Sequence, residues 1–279
     1  MPTLRIPTQP SNPLNYLACC GIFDLVSRLD PQATAHWHCT APLGLHITTS
    51  LPEPELYTAI LDLCRRIDRW LFITVPGQTD VWQAEATLIG FEHTHVIALD
   101  WWQETVEATG AIDKKSAWKM YAGQQTIEGI TSDMIALCSQ LAKPLLSGLL
   151  SDLLAANAGM TGRFGFDPRS TRSALDVGYS PNDLGLPVAT YPFAELLAAF
   201  GLQSFFPGRC GIPGRLASTR AWYVADGGSA FLYRLWQNPL PIALARVAAT
   251  ADAFTTAIPL QAPRATRKNY SNLTQATIR

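Results

Sequence analysis

The chain has 279 residues, 48% hydrophobic and 15% charged, with a formal net charge of −1. That length suits one large domain or two modest ones, the near-neutral total argues against a free-standing nucleic-acid binder, and no apolar stretch reaches the ~18–20 residues of a membrane span. The charge is unevenly placed, however: residues 1–160 hold 9 Lys/Arg against 16 Asp/Glu, and residues 161–279 hold 12 against 6. Such asymmetry points to an anionic partner for the basic half, and so apolar a composition suggests that part of the surface is covered by another protein.

In chain order, Leu4-Arg5-Ile6-Pro7 reads as a short extended segment. Asn12 before Pro13 reads as an N-cap with proline at the first helical position. The helix that follows, 14–29, carries a strip of small side chains, Ala18-Cys19-Cys20-Gly21, which lets another backbone approach closely and places it deep in the fold. Segments 34–39 and 43–49 read as strands, the second alternating Leu43, Leu45 and Ile47. From Pro52 the apolar positions Leu56, Ile60, Leu63, Cys64, Ile67 and Leu71 follow the helical period. Segments 80–89 and 94–99 form a predicted hairpin, with Trp101-Trp102 just after it.

Two helices, 127–140 and 144–157, are expected on either side of Lys143-Pro144, the second stopping at Asn157-Ala158-Gly159. Residues 191–203 read as helix, 220–225 and 230–236 as a hairpin, and 241–250 as a short helix. From residue 255 the chain is a polar, basic strand or irregular tail. The fold class is therefore α+β, antiparallel hairpins plus several helices. Its parts are an N-terminal α+β part (1–110), a helical region (111–158) and a basic C-terminal α+β part (159–279), either joined in one continuous domain or separate. Leu17-Ala18-Cys19-Cys20-Gly21-Ile22 and Leu197-Ala198-Ala199-Phe200-Gly201-Leu202 share L-A-x-x-G-[IL], which admits two explanations: two related halves, or two helices packed on each other.

The six cysteines include no C-x-x-C pair and follow no signal peptide, so they read as buried thiols of a cytoplasmic protein. His36-x-His38 and His93-x-His95 each present two imidazoles on one strand face. On neighbouring strands they would converge near Cys39 as a zinc set; otherwise they are ordinary strand histidines. Neither H-E-x-x-H, G-x-S-x-G, a phosphate loop nor a dinucleotide fingerprint occurs. No catalytic residue, metal or cofactor is assigned, and Asp167, Asp176 and Asp183 read as turn caps. Two stretches mix basic and aromatic residues: Lys114, Lys115, Trp118, Lys119 and Tyr121, then Arg163, Phe164, Phe166, Arg169 and Arg172. Cations that neutralise phosphates beside rings that stack on bases suit single-stranded nucleic acid, and the glycines around Arg163 suit a phosphate cradle.

The opening Ile6-Pro7, Asn12-Pro13 and Leu17-Ala18-Cys19-Cys20-Gly21-Ile22-Phe23-Asp24-Leu25 resembles that of a large-subunit-like CRISPR-associated family of type I-U (I-G) loci. The blocks Trp118-Lys119-Met120-Tyr121-Ala122-Gly123-Gln124-Gln125, Arg163-Phe164-Gly165-Phe166-Asp167-Pro168-Arg169-Ser170, Asp176-Val177-Gly178-Tyr179-Ser180-Pro181-Asn182 and Glu195-Leu196-Leu197-Ala198 are similar to that family in the same order. The resemblance implies a non-catalytic subunit of an RNA-guided, Cascade-like surveillance complex in antiviral defence. Its partners would be other effector subunits, guide RNA and target DNA, with base pairing reading most of the sequence. It brings no catalytic residues, and 279 residues is short for a large subunit, which leaves an accessory role open. The expected phosphate contacts are Lys114, Lys115, Lys119, Arg163, Arg169, Arg172, Arg209, Arg215, Arg267 and Lys268, with Trp118 and Phe164 as stacking surfaces. The alternative is a metal-dependent hydrolase or nuclease built on the His-x-His pairs.

Overall fold

The structure is a computed structural model that describes residues 2–65, 70–73, 81–86, 95–105, 112–113, 116–121, 125–142, 148–170, 187–206, 221–225, 228–251, 256–267 and 270–279. The first half runs β1 (Thr3–Pro7), α1 (Pro13–Leu29), β2 (Thr34–His38), β3 (Gly44–Thr48), α2 (Glu53–Arg65), β4 (Trp70–Ile73), β5 (Val81–Ala86), β6 (His95–Leu99), β7 (Glu104–Thr105) and β8 (Ile112–Asp113). It continues with α3 (Ile127–Leu141), α4 (Leu150–Ala155), β9 (Ala158–Met160), β10 (Val188–Thr190) and α5 (Pro192–Phe205). The last part is β11 (Trp222–Ala225), β12 (Gly228–Leu235), β13 (Leu240–Pro241), α6 (Ile242–Thr250), β14 (Ile258–Arg267), β15 (Tyr270–Leu273) and β16 (Thr277–Ile278). The protein is α+β, and every strand pairing among the described residues is antiparallel. The larger sheets have the orders β1-β3-β2-β13, β4-β5-β6 and β11-β12-β14-β15, with β16 also on β14.

The centre of the molecule is the crossing of α1 and α5. Asn12 caps α1 as expected, its side chain accepting from the Leu14 N–H at 2.9 Å, with Pro13 starting the helix. The two L-A-x-x-G-[IL] segments meet here. A Cβ on Gly21 would lie 2.0 Å from the Leu197 carbonyl oxygen, and one on Gly201 1.9 Å from that of Leu17. Only glycines allow backbones this close, so packing of one helix on the other accounts for the echo. The strands beside the helices connect differently, β1 with β3 but β10 with β9. Asp24, buried on α1, locks the arrangement. Its carboxylate accepts from Arg28 Nε (2.8 Å), Ser204 Oγ of α5 (2.7 Å) and Arg246 Nη2 of α6 (2.7 Å).

One apolar core runs through all three sequence parts, with Leu17, Met134 and Leu197 among its fully buried members. Far ends of the chain interlock around α1. Tyr233 Oη donates to the Pro10 carbonyl at 2.7 Å, Trp236 Nε1 to that of Ala35 at 2.8 Å, and the Ala276 N–H to that of Ser11 at 2.8 Å.

Two elements depart from expectation. The helix expected from Pro52 to Leu71 is described as α2 up to Arg65, and Leu71 lies instead exposed on β4, because Trp70-Leu71-Phe72-Ile73 is a bulky run that suits a strand. Of the helix expected over 144–157, residues 144–147 lie outside the described residues; Gly148 adopts a positive φ of 73° and Leu149 is extended, so α4 begins at Leu150. The expected stop at Asn157-Ala158-Gly159 is instead an extended Ala156 leading into β9.

Candidate functional site

The two basic-aromatic stretches converge because β15 is laced between them. The Ser271 N–H donates to the Met120 carbonyl at 3.0 Å, and the Leu273 N–H to the Gly165 carbonyl at 2.9 Å. Gly165 has φ of 93°, and a Cβ there would sit 3.0 Å from both Met120 Cβ and the Ser271 carbonyl oxygen, so a glycine is needed at this meeting point. The result is a small recess, partly open to solvent, whose walls include Tyr121, Gln125, Thr161, Arg163, Ser271 and Asn272. Gln125 Nε2 donates to the Thr161 carbonyl at 3.3 Å. At the edge, Lys119 Nζ lies 5.5 Å from the centroid of the Tyr121 ring, a cation–π contact.

Behind Arg163 is a buried polar cluster. Asn12 Nδ2 donates to Asp167 Oδ1 at 3.2 Å, which ties the loop to the start of α1. Arg169 Nε donates to both Asp167 oxygens, at 2.9 and 3.2 Å, and its guanidinium stacks 3.8 Å from the centroid of Tyr191. The Arg169 N–H also donates to Asp167 Oδ1 at 3.0 Å, so Asp167 is the turn cap expected of it. Asp176 and Asp183 lie outside the described residues. Glu195, only 1% exposed, has its acid pKa pushed up to about 8 by burial and by the neighbouring Asp167, against the pull of Arg163, Arg169 and the Phe164 N–H. Burial pulls the Arg163 guanidinium below its ordinary range, against the attraction of Glu195 and Asp167.

The expected contacts are placed as follows. Arg163 lines the recess, Lys119 stands at its edge, and Arg169 belongs to the cluster behind it. Trp118 and Phe164 are corrected: at 0% and 1% exposure they offer no free ring face. Trp118 packs on Phe166, Trp222 and Phe231, and Phe164 on Trp101, inside the apolar core. Lys114, Lys115, Arg172, Arg209, Arg215 and Lys268 lie outside the described residues. Arg267 closes β14, its backbone paired with Tyr270. Residues not singled out from sequence are Thr161, Ser271 and Asn272, which only the β15 register brings in. Asn12, expected as a cap, also reaches Asp167.

The described histidines are divided between two sheets. His36 lies directly opposite His46 on β3, and His46 stacks on His38 at 4.8 Å between centroids. Burial and the neighbouring imidazole of His38 lower the pKa of His36; burial, both imidazoles and Arg5 lower that of His46. His95 is on β6, in a different sheet, and His93 lies outside the described residues. Among the described residues no three or more His, Cys, Asp or Glu are grouped so as to hold a metal ion. Likewise, no described helix is long and apolar enough to cross a membrane. Compared with protein-family models, curated proteins and solved structures, the chain has no significant match.

Proposed function

We propose that this chain is a non-catalytic subunit of a type I-U CRISPR RNA-guided surveillance complex, where it contacts guide RNA or target DNA beside other effector subunits. The observation that carries the reading is the convergence of two basic-aromatic stretches, distant in sequence, on one recess lined by Tyr121 and Arg163, with Lys119 against the Tyr121 ring. Two further features support it. Residues of the blocks on which the family resemblance rests, Asn12, Met120, Tyr121, Gln125, Arg163, Asp167, Arg169 and Glu195, come together around that recess and its polar cluster. The basic second half also supplies Arg172, Arg209, Arg215, Arg267 and Lys268 as additional phosphate contacts, with Lys114 and Lys115 beside Lys119.

The metal-hydrolase alternative draws no support from histidines divided between two sheets. The test is to tag the chain, purify it with the products of neighbouring genes, and sequence any RNA that accompanies it after ultraviolet crosslinking. Repeat-derived guides of uniform length, with crosslinks in peptides 116–125 or 161–169, are expected. A chain that purifies alone, without RNA, overturns the proposal.

A further inference from the structure

The sheet β1-β3-β2 has two unlike faces. Leu4 and Ile6, Leu45 and Ile47, and Ala35 and Trp37 turn into the core, so the alternate positions turn outward. Register places Arg5 opposite His46 and His46 opposite His36, one row across all three strands. His46 also stacks on His38, 4.8 Å between centroids with 7° between the planes, and meets His36 edge to face at 5.2 Å. His38 is held by the Pro42 carbonyl and the Thr40 hydroxyl, each 3.2 Å from a ring nitrogen. Arg5 is exposed and the three imidazoles are partly so, and all four lie in the continuously described stretch 2–65.

The first half of the chain is acidic, but this face is not. Residues 1–52 contain two carboxylates, Asp24 and Asp30. Both are buried and hydrogen-bonded, Asp24 accepting from Arg28 and Asp30 from the Thr49 hydroxyl. The charged groups that act on the imidazoles are His38 on His36, and His36, His38 and Arg5 on His46. No carboxylate is among them. A fixed cation beside titrating ones, without a counter-ion, is complementary to a polyanion. Partly exposed rings on the same surface favour a nucleic acid over an acidic protein, since phosphates meet Arg5 and the imidazolium ions while unpaired bases stack on ring faces.

We propose that this outer face is a second contact surface for single-stranded nucleic acid, with phosphates across the row of Arg5, His46 and His36. The inference takes its ligand class from the nucleic-acid reading above and adds a site and a pH dependence to it. Neighbouring imidazolium ions repel one another and Arg5, so the free face gives up its protons readily. A strand seated on it offsets that repulsion and draws protons on. Affinity therefore rises as pH falls through the ordinary histidine range near 6.5.

Fluorescence anisotropy of the full chain with a short uridine strand, whose bases do not titrate in this range, tests it at pH 6 and pH 8 in equal salt. Binding is expected to be about tenfold tighter at pH 6, a mean uptake of about half a proton per strand bound. The double variant His36→Gln, His46→Gln should bring that ratio close to one. Both side chains are partly exposed, so the variant keeps the fold, which a thermal melt verifies. Arg5→Gln should weaken binding at both pH values and reduce the slope of log affinity against log salt by about 0.7. Binding that is equal at the two pH values, or a ratio that survives in the folded double variant, overturns this inference and leaves the nucleic-acid reading in place. Displacement of the strand at pH 6 by polyglutamate as readily as by unlabelled strand assigns the face to an acidic protein and overturns it too. Absence of binding at either pH overturns both.

Discussion

Glu195 is the residue whose protonation the fold most clearly controls. Its pKa rises from an ordinary 4.5 to about 8 in the folded protein, so between those values the folded state holds a proton that the unfolded state has released. Stability is then greatest at and below about pH 4.5 as far as this group is concerned, declines as pH rises toward 8, and levels off above. The full decline is on the order of a few kcal/mol, from ~1.4 kcal/mol per pH unit. Glu195→Gln keeps the size and can still accept from the Phe164 N–H but has no proton to lose. Its melting temperature should change less between pH 5 and pH 9 than that of the unaltered protein, and should be the higher of the two at pH 9. An unchanged slope in the variant would assign the effect to another group. The sequence disclosed that Glu195 sits on a helix, but not that its carboxyl is sealed against Asp167 from a separate loop. That depends on the Asn12–Asp167 hydrogen bond across 155 positions.

At the scale of elements, the α1–α5 crossing makes the sharpest prediction. In Gly21→Ala the new methyl would meet the backbone of Leu197, which cannot rotate away, so the helices must separate and the core between them must open. A loss of about 3 kcal/mol or more is expected, at the upper end of overpacking costs, read as a lower denaturation midpoint. Gly148→Ala is the contrast. Nothing lies within 4 Å of its Cβ position, and only the positive φ opposes the change, so the loss should be about 1 kcal/mol. Equal effects would mean that the crossing tolerates more room than its geometry allows. Features encoded within a turn or two of chain were legible: the Asn12-Pro13 cap, the small-residue strip of α1, the 222–235 hairpin. Features set by register across strands were not. His46 joins His36 because β2 and β3 pair in one register, and Ser271 and Asn272 join the recess because β15 pairs with β14, neither of which local periodicity discloses. Trp118 illustrates the same limit, since composition names a ring but not the side of the chain it buries.

For the whole molecule, binding through phosphates should weaken with salt. Lys119→Gln removes one cation from the edge of the recess. It should lower affinity for strands of any sequence and reduce the slope of log affinity against log salt by about 0.7–1; an unaltered slope would remove Lys119 from the interface. The interlock around α1 also bears on the order in which the protein takes shape. Asp24 waits for Ser204, 180 positions later, and Ser11 for Gln275, 264 positions later. At ~5–20 residues per second of synthesis, the first helix emerges roughly 10–50 s before the groups that seat it. Residues 1–110 expressed alone should therefore melt without a cooperative transition, and a sharp transition would show that they fold unaided. On the ribosome, the small-residue strip of α1 is a bare apolar seam for that whole interval, so the earliest-made helix is among the last to be housed, and the nascent chain must be shielded until its far end arrives.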